Sequence, residues 1–221
     1  MTKSLRLVFG LLAAVALVLL RAQPVAAEVT IRYGVERTMS PVYIALALGL
    51  FAPVERKDHI RFLFPQYSSG TAANTAMTDA DEDLQLASEE LSSCLVAASR
   101  LPITLVAIDI ARRSASQSNA ECVSNAFLAK RPEVVRDVLK VLERASDFIR
   151  RHPDASATLW AKQLGLQKDA IRSSLNKDIS AYRRDIAPRK GLVDAYVGAM
   201  RRAKILKAKD TPKVDASFVR D

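Results

Sequence analysis

Between residues 29 and 111 the chain alternates short runs rich in β-branched residues with segments carrying helical start and stop signals, and few architectures accommodate that rhythm. Val29 to Val35 (VTIRYGV) alternates apolar and polar residues and predicts a strand. Ser40-Pro41 supplies an N-cap followed by proline at the first helical position. Tyr43 to Leu48 fill the helix, and Gly49 stands where a left-handed residue ends one. Ile60 to Phe64 predicts a second strand, Thr71 to Met77 a short alanine-rich helix, and Leu84 to Ser88 a third strand. Glu89 to Ala98 predicts a third helix and Ile103 to Ala111 (ITLVAIDIA) a fourth strand. This βαβαβαβ series predicts an α/β fold, a parallel-type sheet with flanking helices.

Beyond Arg113 the pattern changes. Ser114 to Asn119 is a polar turn, and Cys122 to Phe127 is the candidate fifth strand. Pro132 to Arg151 carries apolar residues at 134, 135, 138, 139, 142, 145, 148 and 149, a helical period with a proline start, which His152-Pro153 ends. Pro153 to Leu164, Lys168 to Asn176 and Gly191 to Lys204 predict three more helices. The expected organisation is therefore an α/β lobe over residues 28–127 and, over 128–221, C-terminal helices packing on the same lobe.

The first 27 residues have the form of an export signal. Lys3 and Arg6 precede an apolar stretch from Leu7 to Leu20, and Val25-Ala26-Ala27 offers small residues for cleavage after Ala27. The apolar stretch is short for a membrane anchor. The expectation is a processed protein of the periplasm or outside the cell. Charge is uneven: residues 28–127 hold 8 basic and 12 acidic residues, 128–221 hold 22 and 12. The basic residues are spread over amphipathic helices, without zinc-finger spacing, a basic arm or interleaved aromatics. They read as solvated helix faces with some attraction for anions, and no nucleic acid is expected as partner.

Cys94 and Cys122 either pair in an export compartment that permits disulfides or are two small buried apolar side chains; the second reading is the expectation adopted. His59 and His152 lie far apart without clustered ligands, so neither a metal nor another cofactor is expected. Asp79, Asp81, Glu82 and Asp83 form an acidic cluster lacking the glycine and the terminal glutamate of an EF-hand loop, and they read as a solvated connection. The nucleophile-elbow, phosphate-loop and zincin motifs are all missing from the sequence, which makes a binding protein a better expectation than an enzyme.

In an open parallel sheet, ligands bind beyond the carboxyl ends of the strands, where helix N-termini present free amides. Three loops fall there: Glu36 to Ser40, Gln66 to Thr71, and Ser88-Glu89. Ser68-Ser69-Gly70-Thr71 combines hydroxyl donors, a glycine and a helix start, which suits a small oxyanion and equally an ordinary N-cap turn.

Taken in order, an export signal, VTIRYGV, Pro41-Val42-Tyr43-Ile44-Ala45 running to Gly49-Leu50-Phe51, and FLFPQYSSG (62–70) resemble the opening of periplasmic solute-binding proteins of the nitrate/sulfonate/taurine class, which serve ABC importers. Pro102 to Ala107, Ser124 to Leu128, Arg131 to Val135 and His152-Pro153-Asp154 resemble later segments of that class. The resemblance implies one lobe of a type II periplasmic-binding fold. It implies a small anionic or organic ligand, an importer permease as partner, and binding through Ser40, Pro41, Tyr43, Ser68, Ser69, Gly70, Thr71 and Ser88. The family places a second lobe between the segments that here end near Arg113 and resume near Ala120, where only Ser114 to Asn119 stands. The expectation is a single-lobe relative with half of the usual site, whose uncovered face could recruit a second copy. The alternative is a diverged relative acting as an interaction or sensing module without transport.

Overall fold

The computed structural model describes residues 29–79, 84–112, 114–183 and 185–219. The export-signal reading and the acidic residues Asp81, Glu82 and Asp83 lie outside them. Among the described residues, no helix is long and apolar enough to cross a membrane.

Among the described residues six strands form the sheet: β1 (Val29–Glu36), β2 (Ile60–Leu63), β3 (Gln66–Tyr67), β4 (Leu86–Glu90), β5 (Ile103–Ile110) and β6 (Asn119–Ser124). Their order is β2-β1-β4-β6-β5, with β3 also pairing β1. β1 pairs in parallel with β2, β3 and β4. β6 runs antiparallel between β4 and β5, so the sheet is mixed rather than wholly parallel. The connection from Ile110 to Asn119 explains this: a parallel return needs a crossover of about a dozen residues or more, and a shorter link must double back. The fifth strand therefore occupies 119–124 rather than 122–127, and the residues after it form a helix.

The helices are α1 (Pro41–Ala47), α2 (Ala52–Asp58), α3 (Gly70–Thr78), α4 (Leu91–Arg100), α5 (Asn125–Lys130), α6 (Pro132–Arg151), α7 (Pro153–Leu164), α8 (Lys168–Asp178) and α9 (Lys190–Arg202). Ser40 caps α1, its side chain accepting from the Val42 amide, and Ser69 caps α3 through the Ala72 amide. Gly49 takes a left-handed φ of 65° after α1, as its position there requires.

Strand alternation divides the core into two layers. On one face Ile31, Tyr33, Val35, Ile60, Phe62 and Val123 meet α1, α6 and α7. On the other, Ile103, Leu105, Ile108, Ala120 and Cys122 meet α3, α4 and α9. Helix α6 buries Val134, Val135, Val138, Leu139, Leu142, Ala145 and Ile149, seven of the eight positions of the stripe its sequence period predicts, and half-buries the eighth, Phe148. Cys94 of α4 and Cys122 of β6 form a disulfide, their Cα atoms 6.0 Å apart. That corrects the expectation of two unpaired thiols: both side chains are buried as small apolar residues would be, but packing of α4 on β6 brings them within bridging distance.

Candidate functional site

The carboxyl ends of β1, β4 and β5 open onto a small crevice of about 140 Å³ lined by Glu36, Thr38, Glu90, Arg112, Ser116 and Asn119, among others. It continues past Arg112 into an open polar depression of about 840 Å³ that reaches Lys177 and Asp178 at the end of α8. Arg112 follows β5 by two residues. Its Nη1 donates to the Gln117 carbonyl at 2.8 Å and its Nε lies 3.3 Å from Asp178, so the guanidinium is held in place across the crevice. Glu36 accepts the Glu90 amide at 3.0 Å, and burial pushes its carboxyl above the usual range.

The loop carrying Ser40 is anchored by the C-terminal helices. Trp160, fully buried in α7, donates its Nε1–H to the Ser40 carbonyl at 3.1 Å, and the Tyr182 hydroxyl donates to the Met39 carbonyl at 3.0 Å. Arg37 donates to the Leu164 carbonyl at 2.5 Å. The helical half of the chain thus fixes one wall of the crevice that the sheet opens.

Beneath the crevice lies a buried polar network. Ser40 Oγ and Ser88 Oγ share a hydrogen bond at 3.0 Å; Asn119 Nδ2 donates to Ser88 Oγ at 2.9 Å and to Asp109 Oδ1 at 3.1 Å. The Tyr33 hydroxyl donates to Glu121. Burial raises the Asp109 carboxyl from 3.8 to about 6, against the lowering effect of the Asn119 hydrogen bond. Burial, with the nearby Asp109 charge, drives Glu121 well above the ordinary glutamate range. On the opposite face of β4, Glu89 is also fully buried and raised by burial, with Asn74 Nδ2 donating to its Oε2 at 2.9 Å.

The structure brings some of the expected site residues together and disperses others. Ser40 and Ser88 meet, both fully enclosed under the crevice. Pro41 and Tyr43 lie in the core behind them. Ser68 and Thr71 are exposed, Ser69 is engaged as the α3 cap, and Gly70 is buried against Glu89 and Ser93. Sequence reasoning placed Glu36 in a strand-end loop without giving it a role, and missed Glu90, Asp109, Arg112, Asn119 and Glu121. The available signals were the lone Asp109 in the apolar run ITLVAIDIA, the arginine soon after that run, and Glu121 between Ala120 and Cys122.

No protein-family model matches the sequence, and no curated protein matches it. Solved structures do match in shape. The periplasmic aliphatic sulphonate-binding protein SsuA of Escherichia coli aligns over 84% of this chain and 93% of its own, at 11% identity with a TM-score of 0.63. A Candida albicans gene product, described as exhibiting the generic periplasmic binding protein structural fold, aligns over 88% and 98% at 8% identity, with a TM-score of 0.66. The fold is that of the periplasmic binding proteins. The alkanesulfonate-binding protein SsuA of Xanthomonas axonopodis, bound to MOPS, aligns over 84% and 97% at 10% identity, with a TM-score of 0.61. The periplasmic-binding fold expected from the resemblance is thus the fold found, and at these identities the likeness is one of fold. Among the described residues it is built around one sheet.

Proposed function

We propose that this chain is a single-lobe solute-binding protein of the periplasm, processed after Ala27, which captures a small anionic or organic solute for the permease of an ABC importer. It is read as a binder and not as a catalyst. The observation that carries this reading is Arg112, a guanidinium held across the crevice at the carboxyl end of β5 by Gln117 and Asp178. A planar, always-charged donor fork suits a sulfonate, carboxylate or nitrate group. Thr38 and Ser116 add hydroxyl groups to a lining shared with Glu36 and Glu90, and Lys177 adds a second cation in the adjoining depression. Relatives in shape are described as sulfonate-binding proteins, which agrees with a charged head at this position. Of the residues carried over from the resemblance, Ser40, Pro41, Tyr43 and Ser88 support the crevice from below, and Ser68, Ser69, Gly70 and Thr71 form the neighbouring helix start.

The test is thermal unfolding and calorimetric titration with methanesulfonate, taurine, nitrate and bicarbonate, on the wild type and on Arg112→Ala. A ligand at about 100 times its Kd stabilises by about 2.7 kcal/mol. The expected result is a selective rise in Tm that Arg112→Ala abolishes while its ligand-free Tm stays near that of the wild type. Absence of any shift, or a shift that survives Arg112→Ala, overturns the assignment. Absence of a shift together with a concentration-dependent dimer points instead to the interaction module.

A further inference from the structure

A second cavity opens on the other side of the sheet, where α3, α4 and α9 meet, with a volume of about 760 Å³. This lies within the usual range of small-molecule sites, about 300 to 1,000 Å³. Its floor is apolar, formed by Val96, Ala97 and Met200, and its rim carries threonine and serine hydroxyls. Leu101 and Ile205 are 40% and 51% exposed at its edge, two of the few large apolar side chains the fold leaves in water. Glu90 is the one charged side chain of its lining; although the chain has 33 lysines and arginines, none lines this cavity among the described residues. Asn74, 5% exposed, forms part of the wall. Its Nδ2 is engaged by Glu89, and its Oδ1 has no partner.

We propose that this cavity is a binding site for a small amphiphile with an apolar body and an uncharged or cationic hydrogen-bond donor as its head, an alcohol or a primary amine. The apolar floor accounts for the body. The Glu90 carboxylate and the hydroxyl oxygens of the rim accept hydrogen bonds from a donor head. With the Glu90 carboxylate at the rim and no cation among the described lining residues, an anionic head would meet a like charge with only hydroxyls to offset the loss of its water. The cavity therefore selects against the charge that Arg112 favours in the crevice, although the two adjoin at Glu90 and Ser116.

Three probes of one shape separate the possibilities: 4-phenylbutanol, 4-phenylbutylamine and 4-phenylbutanoate, titrated calorimetrically and by thermal shift into protein expressed from the full chain. Saturable binding of the alcohol and the amine, with none of the carboxylate, is expected. Ala199→Phe on α9 and Thr75→Phe on α3 place a ring into the cavity from opposite walls at exposed positions, and each is expected to weaken binding by at least about tenfold. Arg112→Ala leaves this binding unchanged, so the site stands or falls separately from the anion crevice. Failure of the alcohol and amine to bind, equal binding of the carboxylate, or binding that survives both phenylalanine variants overturns the proposal.

Discussion

Removing the Cys94–Cys122 bridge by the double change Cys94→Ala/Cys122→Ala tests both the topology and the oxidised state. The bridge joins residues 28 apart and ties α4 to β6, the strand that runs against the rest of the sheet. In the chain-entropy picture, closing a loop of that length removes about 12 cal/mol/K from the unfolded ensemble, or about 3.5 kcal/mol at 25 °C. For a chain of this size each kcal/mol moves Tm by about 2 to 4 °C, so the double variant should melt about 7 to 14 °C lower. Both cysteines are fully buried, so losing their sulfurs adds a packing cost of the same sign. Reduction of the wild type isolates the crosslink from the packing change, because it leaves the sulfurs in place. Scanning calorimetry of the oxidised, reduced and double-variant proteins measures the three Tm values, and mass spectrometry under non-reducing conditions confirms that the oxidised form lacks two hydrogens. A double variant that melts within about 2 °C of the oxidised wild type, or two thiols that react in the unfolded, unreduced protein, would refute the reasoning.

Stability should fall as pH rises from about 4 to 7. Asp109, Glu89 and Glu121 all have carboxyls raised by burial, so the folded state binds more protons than the unfolded one in this window. Asp109 alone, raised from 3.8 to about 6, accounts for about 3 kcal/mol of that fall, at 1.36 kcal/mol per pH unit. Urea unfolding across the range measures it; Asp109→Asn should flatten the slope, and a stability that climbs with pH would contradict the sign. Gly70→Ala should cost about 2 kcal/mol by overpacking, since a Cβ there would lie 2.3 Å from Glu89 Oε2 and 2.6 Å from Ser93 Cβ. An unchanged denaturation midpoint would show that these neighbours give way freely.

The elements that local chemistry specifies were legible. Ser40-Pro41 and Ser69 announce helix starts by the groups their side chains satisfy, and α6 announces its buried face by period. Helix α2 was not legible because it buries one residue, Val54, and so has no apolar stripe to detect. Strand β6 was misplaced because its extent is fixed by its neighbours: Asn119 pairs with Glu90 and Ser124 with Ile103. The disulfide depends likewise on a 6.0 Å separation that only the packing of α4 on β6 creates.

The candidate site was legible only at its helix starts, because its polar core is assembled from strands distant in sequence. Successive residues of β4 separate its two halves: Ser88 turns toward Ser40 and Asn119, and Glu89 turns toward Asn74. Neither direction can be read from the string Ala-Ser-Glu-Glu, where the sequence predicts the end of a strand and the start of a helix. What encloses them is the return of β6 beside β4, which brings Asn119 and Glu121 under the crevice without a compensating cation among their hydrogen-bond partners. Burial pushes both carboxyls toward the neutral form, which lowers the negative charge beneath the crevice as pH falls. Among the described residues Asp178 is the one carboxylate within ion-pair distance of Arg112, Glu36 and Glu90 lying elsewhere in the crevice lining, and on the proposed reading the guanidinium fork keeps donors for an incoming anion.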